Sequence, residues 1–203
     1  MAMTHVAVGL ALAAPVALLA PDLAPAALAG AVAGSVFPDI DMVVGEHRRT
    51  FHVAEAYAVA AFACLALAFV APSALSTAAA AFSVAATLHP VFDVAGGSSE
   101  ARPWEAATNR GVYLRSASGW VAPRRWVRYD GAPEDFALAA VLAVPGLVLY
   151  GPAVRGGTVA LLVVGALYTL ARKRIPQLSG RVELPVPPVL TAVVTVVSFF
   201  RSR

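Results

Sequence analysis

"FPDIDMVVGEHRRTFH", residues 37–52, sets two aspartates, a glutamate, two arginines and two of the chain's four histidines between long apolar runs. The contrast decides the fold. Over 203 residues the chain is 59% hydrophobic and only 13% charged, with a mean hydropathy of +0.74, whereas a soluble domain is about a quarter charged. The runs on either side of the stretch, between positions 5 and 92 and again from 136 to 200, are mostly 15 to 20 residues of Ala, Val and Leu. A helix needs about 20 such residues to cross a bilayer.

Working outward, "APDLAP" at 20–25 breaks the N-terminal run into helices over about 5–20 and 23–37. A cleaved signal peptide is the rival reading, because "PAALAG" at 25–30 offers small residues. Against it, no Lys or Arg precedes Arg48, so the basic leader is missing. Downstream, Pro, Gly and charge interruptions predict helices over about 53–71, 74–94, 136–150, 157–172 and 186–200. The expected architecture is an all-α polytopic membrane protein of six to seven transmembrane helices. It is a single membrane domain over 1–203, with helical hairpins in 1–94, a polar loop over 95–135 and C-terminal helices in 136–203. Within the loop, "GVYLRSASGWVAPRRWVRY" at 111–129 places Val112–Leu114 and Trp120–Ala122 on either side of a Ser/Gly turn, the pattern of a small β-hairpin. Cys64, the single cysteine, has no partner for a disulfide or thiolate cluster. No Gly-rich phosphate loop or Ser nucleophile elbow occurs.

If every helix crosses, the N-terminus and the segments 38–52, 95–135 and 173–185 share one face. Of the fifteen basic residues, only Arg155, Arg201 and Arg203 then lie on the other, leaving twelve. The positive-inside rule makes the richer face cytoplasmic and the location the inner membrane.

The same topology gathers the polar chemistry. His5 opens the first helix, Asp39 and Asp41 follow the second, His47 and His52 lead into the third, and His89 and Asp93 end the fourth. Ionisable groups near a bilayer are costly and are kept where they pair, line a wet cavity or bind something. His89 and Asp93 stand at i, i+4 on one helix face. Asp39 and Asp41, in an extended turn after Pro38, would point the same way. Imidazole and carboxylate without sulfur suit zinc, manganese or iron. Singly, each cluster has an ordinary reading: a wet helix end for the aspartates, a solvated loop residue for His47, a cap for His52, a satisfied pair for His89 and Asp93. Their coincidence on one face favours a site. Glu46, Glu55 and Glu100 read as solvated or pairing carboxylates.

"THVAVG" at 4–9, "GSVFPDIDMVVGEHRRTFH" at 34–52 and "LHPVFDVAGG" at 88–97 together resemble the YdjM-type family of inner-membrane metal-dependent hydrolases. The likeness follows Thr-His, Pro-Asp-x-Asp, His-Arg-x-x-x-His and His-x-x-x-Asp over the first half of the chain. It implies a helical membrane protein with a metal centre built from His5, Asp39, Asp41, His47, His52, His89 and Asp93. The ligand order is also similar to that of zinc-dependent phospholipase C and the single-strand nucleases, although this chain has fewer histidines. The implied chemistry is hydrolysis of a phosphoester in a lipid or lipid-proximal substrate by metal-activated water, with Asp39 or Asp41 taking the proton.

The loop supplies Arg102, Arg124, Arg125 and Arg128, and with Arg48 these are candidate phosphate-binding cations, since the guanidinium fork matches phosphate oxygens. Trp104, Trp120 and Trp126 suit the headgroup level, and an interfacial loop obeying the positive-inside rule would carry the same residues. Interleaved Arg and aromatics also bind single-stranded nucleic acid, a reading disfavoured by the acidic run "YDGAPED" and the flanking spans. The partner expected is the lipid bilayer. The alternatives to an enzyme are an ion-binding transporter and a structural or regulatory membrane protein whose metal or polar network ties helix ends together. The transporter reading is weakened because no charged residue falls mid-helix.

Overall fold

The computed structural model describes residues 1–179. The helix expected over 186–200 lies outside them, as do Arg181, Arg201 and Arg203. Residues Met1–Arg172 form one compact unit. It contains α1 (Ala2–Leu19), α2 (Ala24–Val36), α3 (Ala54–Val70), α4 (Ala74–Ala95), β1 (Val112–Leu114), β2 (Gly119–Val121), α5 (Pro133–Leu142), α6 (Val144–Val148) and α7 (Pro152–Ala171). The short helix α8 (Ile175–Ser179) lies beyond that unit.

Among the described residues, four helical segments are long and apolar enough to cross a membrane: Ala2–Leu19, Pro21–Met42, Ala74–Ala95 and Pro152–Ala171. The second joins α2 to the short 3-10 turns on either side. At 17 residues, α3 falls just short of that length. The single helix expected over 136–150 is in fact two, α5 and α6. Pro145 offers no backbone N–H and stands in the first turn of the second helix. Helix α5 starts at Pro133, earlier than expected, with Glu134 and Asp135 in its first turn, where the helix dipole favours carboxylates.

Backbone approach through small residues holds the layers together, as apolar helices require when surrounding lipid removes the hydrophobic drive for association. A Cβ on Gly30 or Gly34 of α2 would stand 2.8 Å from the carbonyl carbon of Ala78 or Phe82 on α4. Gly9 of α1 also lies close against α2, its would-be Cβ 2.8 Å from Ser35 Oγ. The small core follows from this, with Ala13, Ala27, Ala31 and Ala85 packed together beside Tyr150. Ser73 starts α4 with a reciprocal capping box, its Oγ accepting from Ser76 N at 3.2 Å while its own N–H donates to Ser76 Oγ at 3.0 Å.

The hairpin expected in the polar loop is present, with Val112 opposite Val121 and Leu114 opposite Gly119, one residue earlier on its second strand than the sequence reading set it. The loop folds back on the ends of the helices. Amides of Arg124, Arg125 and Trp126 donate to the carbonyls of Val94, Gly96 and Ala95, supplying partners that a helix C-terminus otherwise lacks. Tyr113 N–H donates to Arg48 O at 2.9 Å. Arg115 reaches Thr50 O at 3.2 Å, and Glu55 accepts from Ser116 N–H. The 48–55 stretch is thus clamped beneath the hairpin.

Candidate metal centre

The four histidines arrive from three parts of the chain. His5 sits in the first turn of α1, His89 one turn before the end of α4, and His47 and His52 in the turn between the two hairpins. Among the described residues, His5, His52 and His89 are the largest fully buried side chains. The rings of His5 and His89 stack 3.7 Å apart, and His52 meets His89 edge-on.

The extended turn expected at Asp39 and Asp41 is a 3-10 helix, Phe37–Met42. With three residues per turn, positions i and i+2 diverge, so the two carboxylates do not point the same way. Asp41 is buried and turns to the loop. It accepts from His47 Nδ1 at 2.9 Å, His52 Nδ1 at 2.8 Å and Phe51 N at 3.2 Å. Asp39, 21% exposed, instead faces His89 Nε2 at 3.3 Å and His52 Nε2 at 3.8 Å.

Asp93 completes the group from one turn beyond His89. Its Oδ2 lies 3.1 Å from His52 Nε2 and 3.6 Å from His89 Nε2. Its Oδ1 lies 3.2 Å from both His5 Nε2 and the Arg48 guanidinium. Two imidazole nitrogens and two carboxylate oxygens therefore converge with cross-distances of 3.1 to 3.8 Å. A tetrahedral ion with bonds of about 2.0–2.1 Å separates its ligands by about 3.3–3.4 Å, a value the four N–O distances bracket. Among the described residues, three groups have ligand atoms close enough to hold an ion: His5, His89 and Asp93; Asp39, His52 and His89; and Asp41, His47 and His52.

Protonation decides how these groups can be used. His89 Nδ1 donates to the carbonyl of Ser35 at 2.6 Å, which leaves Nε2 as an unprotonated lone pair in the neutral ring. That nitrogen is buried, makes no hydrogen bond, and faces two carboxylates. Three electron-rich atoms facing one another repel unless a proton or a metal cation lies between them. His52 shows the other arrangement, with both nitrogens directed at carboxylates. Burial disfavours its imidazolium, but the hydrogen bonds to Asp41 and Asp93 outweigh burial and raise its pKa to about 9.

Of the arginines expected to meet substrate, Arg48 is turned inward and buried. It donates to Gly97 O at 2.6 Å besides pairing with Asp93. Arg102 pairs with Glu105 and Arg128 with Glu134, while Arg125 donates to Thr108 O. Arg124 is exposed. Trp126 is 79% exposed, whereas Trp120 packs against Tyr113 and Trp104 against Tyr129. Glu46 pairs with Arg49 and Glu100 accepts from Ser98, so neither joins the centre.

Sequence reasoning missed the supports. Thr4 donates to buried Asp135 Oδ1 at 2.5 Å, and Asp135 also accepts from Gly131 N–H, which pins the start of α1 beside the start of α5. Ser35 was silent because it acts through its backbone carbonyl. Only the Gly-x-x-x-Gly at 30–34 signalled that α4 would come within hydrogen-bonding reach of α2.

No protein-family model matches the chain, and no curated protein or solved structure is significantly similar to it.

Proposed function

We propose that this chain is a membrane-bound metal-dependent hydrolase of phosphoesters, of the YdjM type, whose ion is held by Asp39, His52, His89 and Asp93. The observation that carries the reading is His89 Nε2: buried, without a hydrogen bond, and facing Asp39 at 3.3 Å and Asp93 at 3.6 Å. Zinc fits the ligand set best, with manganese or iron as alternatives. A bound divalent ion supplies Lewis-acid activation of water and of a phosphoryl oxygen.

The protein's part is orientation. Ser35 O and Asp41 fix the Nδ1–H tautomers of His89 and His52, aiming each Nε2 inward, the support that ligating histidines almost always receive. Asp41 is saturated by three donors and holds rather than exchanges protons. Asp39 is the group left to accept a proton from an attacking water, being partly exposed and not hydrogen-bonded to a backbone donor among the described residues. His5 stacks on His89 and fixes Asp93. With six to seven spans and the positive-inside bias, this centre lies at the cytoplasmic face, next to headgroup phosphates.

A metal-free polar network that ties helix ends together is the second reading, favoured by His52 donating to two carboxylates at once. Elemental analysis of the detergent-purified protein, wild type beside Asp41→Ala, His89→Ala, separates the two. Stoichiometric metal, lost in the folded variant, with turnover of a phosphodiester by the loaded wild type, supports the hydrolase. No uptake of zinc, manganese or iron moves the assignment to the network.

A further inference from the structure

We propose that Arg48 takes the place of a second metal ion, so that the centre binds one divalent ion per chain. The inference rests on the metal-centre reading above and concerns how many ions the residues can hold.

Three overlapping ligand groups invite a multinuclear site, but the nitrogens do not suffice for one. His89 belongs to two of the groups and offers a single lone pair, its Nδ1–H being committed to Ser35 O. His52 also belongs to two. Its Nδ1–H is committed to Asp41, so an ion in the Asp41, His47 and His52 group would have to strip that proton while Nε2 serves the other ion. A neutral imidazole has one lone pair and cannot do both. A second ion is therefore left with His5 Nε2 and Asp93 Oδ1.

That position already holds a cation. The Arg48 guanidinium stands 3.2 Å from Asp93 Oδ1, the same distance as His5 Nε2. It is held there by Gly97 O at 2.6 Å, is almost wholly buried, and springs from a backbone with φ of 62°, which few non-glycine residues adopt. A second divalent ion on Oδ1 would press against a fixed positive charge where solvent cannot screen it. The charges also close without it. One divalent ion and one guanidinium match the charge of the carboxylates of Asp39, Asp41 and Asp93, which stand together here. Asp93 would thus offer Oδ2 to an ion while its Oδ1 pairs with the arginine, and chelators could remove only the first of these cations.

The test is metal stoichiometry of the full chain, stripped with chelator and titrated separately with zinc by calorimetry and manganese by electron paramagnetic resonance. One zinc per chain and an uncoupled mononuclear manganese spectrum are expected. Two ions per chain, or an exchange-coupled dimanganese signal, with Arg48 intact would overturn the inference. Uptake of no ion would instead remove the metal centre itself. Arg48→Lys keeps the charge and should stay at one ion, whereas Arg48→Met should admit a second at high metal concentration. A folded Arg48→Met that stays at one would show that Arg48 is not what excludes the second ion. If Arg48→Met does not fold, the wild-type and Arg48→Lys titrations decide.

Discussion

Replacing Gly34 with alanine tests whether the approach of α2 to α4 is what aims His89. An added Cβ would sit 2.8 Å from the carbonyl carbon of Phe82, while carbon atoms rest at about 3.5–4.0 Å. The helices must therefore separate locally by about 1 Å. Ser35, the next residue, accepts from His89 Nδ1 at 2.6 Å. Stretching that bond by about 1 Å takes it past the distance at which a hydrogen bond survives. Overpacking of this kind costs about 1–3 kcal/mol, and loss of the support of a ligating histidine weakens metal binding about 10–100-fold. The assay is paired: zinc affinity by competition with a chromophoric chelator, and unfolding in mixed micelles. Gly156→Ala and Gly157→Ala are the controls, because a Cβ at either position meets nothing within 4 Å; both should match wild type in zinc affinity and lose no stability, since alanine favours a helix interior over glycine. Wild-type zinc affinity in a folded Gly34→Ala would refute the reasoning, since it would mean that His89 is aimed without Ser35.

Other consequences can be checked independently. Asp41→Asn keeps the shape but weakens the acceptor shared by His47, His52 and Phe51 N–H; metal stoichiometry should survive while affinity falls about 10–100-fold. The metal-free protein should be pH-sensitive through His52, whose pKa rises from 6.5 unfolded to about 9 folded. This contribution, on the order of 3 kcal/mol, is fully present below pH 6.5 and is lost as pH rises through 9. Unfolding midpoints of the stripped protein across that range would show it, and a flat profile would contradict it. Because zinc requires His52 Nε2 to be unprotonated, loading at pH 7 should release a proton and affinity should climb about tenfold per pH unit, measurable by calorimetry in buffers of different ionisation enthalpy. Thr4→Val removes the donor to Asp135 and leaves that carboxylate short of a partner in a buried site, costing about 1–3 kcal/mol of stability in the same micelle assay.

The sequence carried the helices and the gathering of polar residues because both rest on hydropathy and on the return of each hairpin. It carried the β1–β2 hairpin because turn residues separate alternating apolar ones. The division of labour between Asp39 and Asp41 was not legible. Pro38 permits both an extended turn and a 3-10 helix, and the choice between them sends the carboxylates to different partners. Arg48 was equally opaque. Beside Arg49, which pairs with Glu46 at the surface, it is distinguished by a positive φ, by the Asp93 carboxylate and by carbonyls contributed from Gly97 and Gly111, far along the chain. The split of α5 from α6 was available in Pro145, set within an otherwise continuous apolar run.

The bond between Thr4 and Asp135 spans 131 residues, and it orders events during synthesis. The first turn of α1, with His5 beside it, emerges from the ribosome long before the residues that fix its position. The contacts among the histidines and aspartates lie wholly within residues 5–93, so the brace from Asp135 is added to them only after the polar loop and the start of α5 have been made. That brace is a late product of biosynthesis, closed when the middle of the chain returns to its beginning.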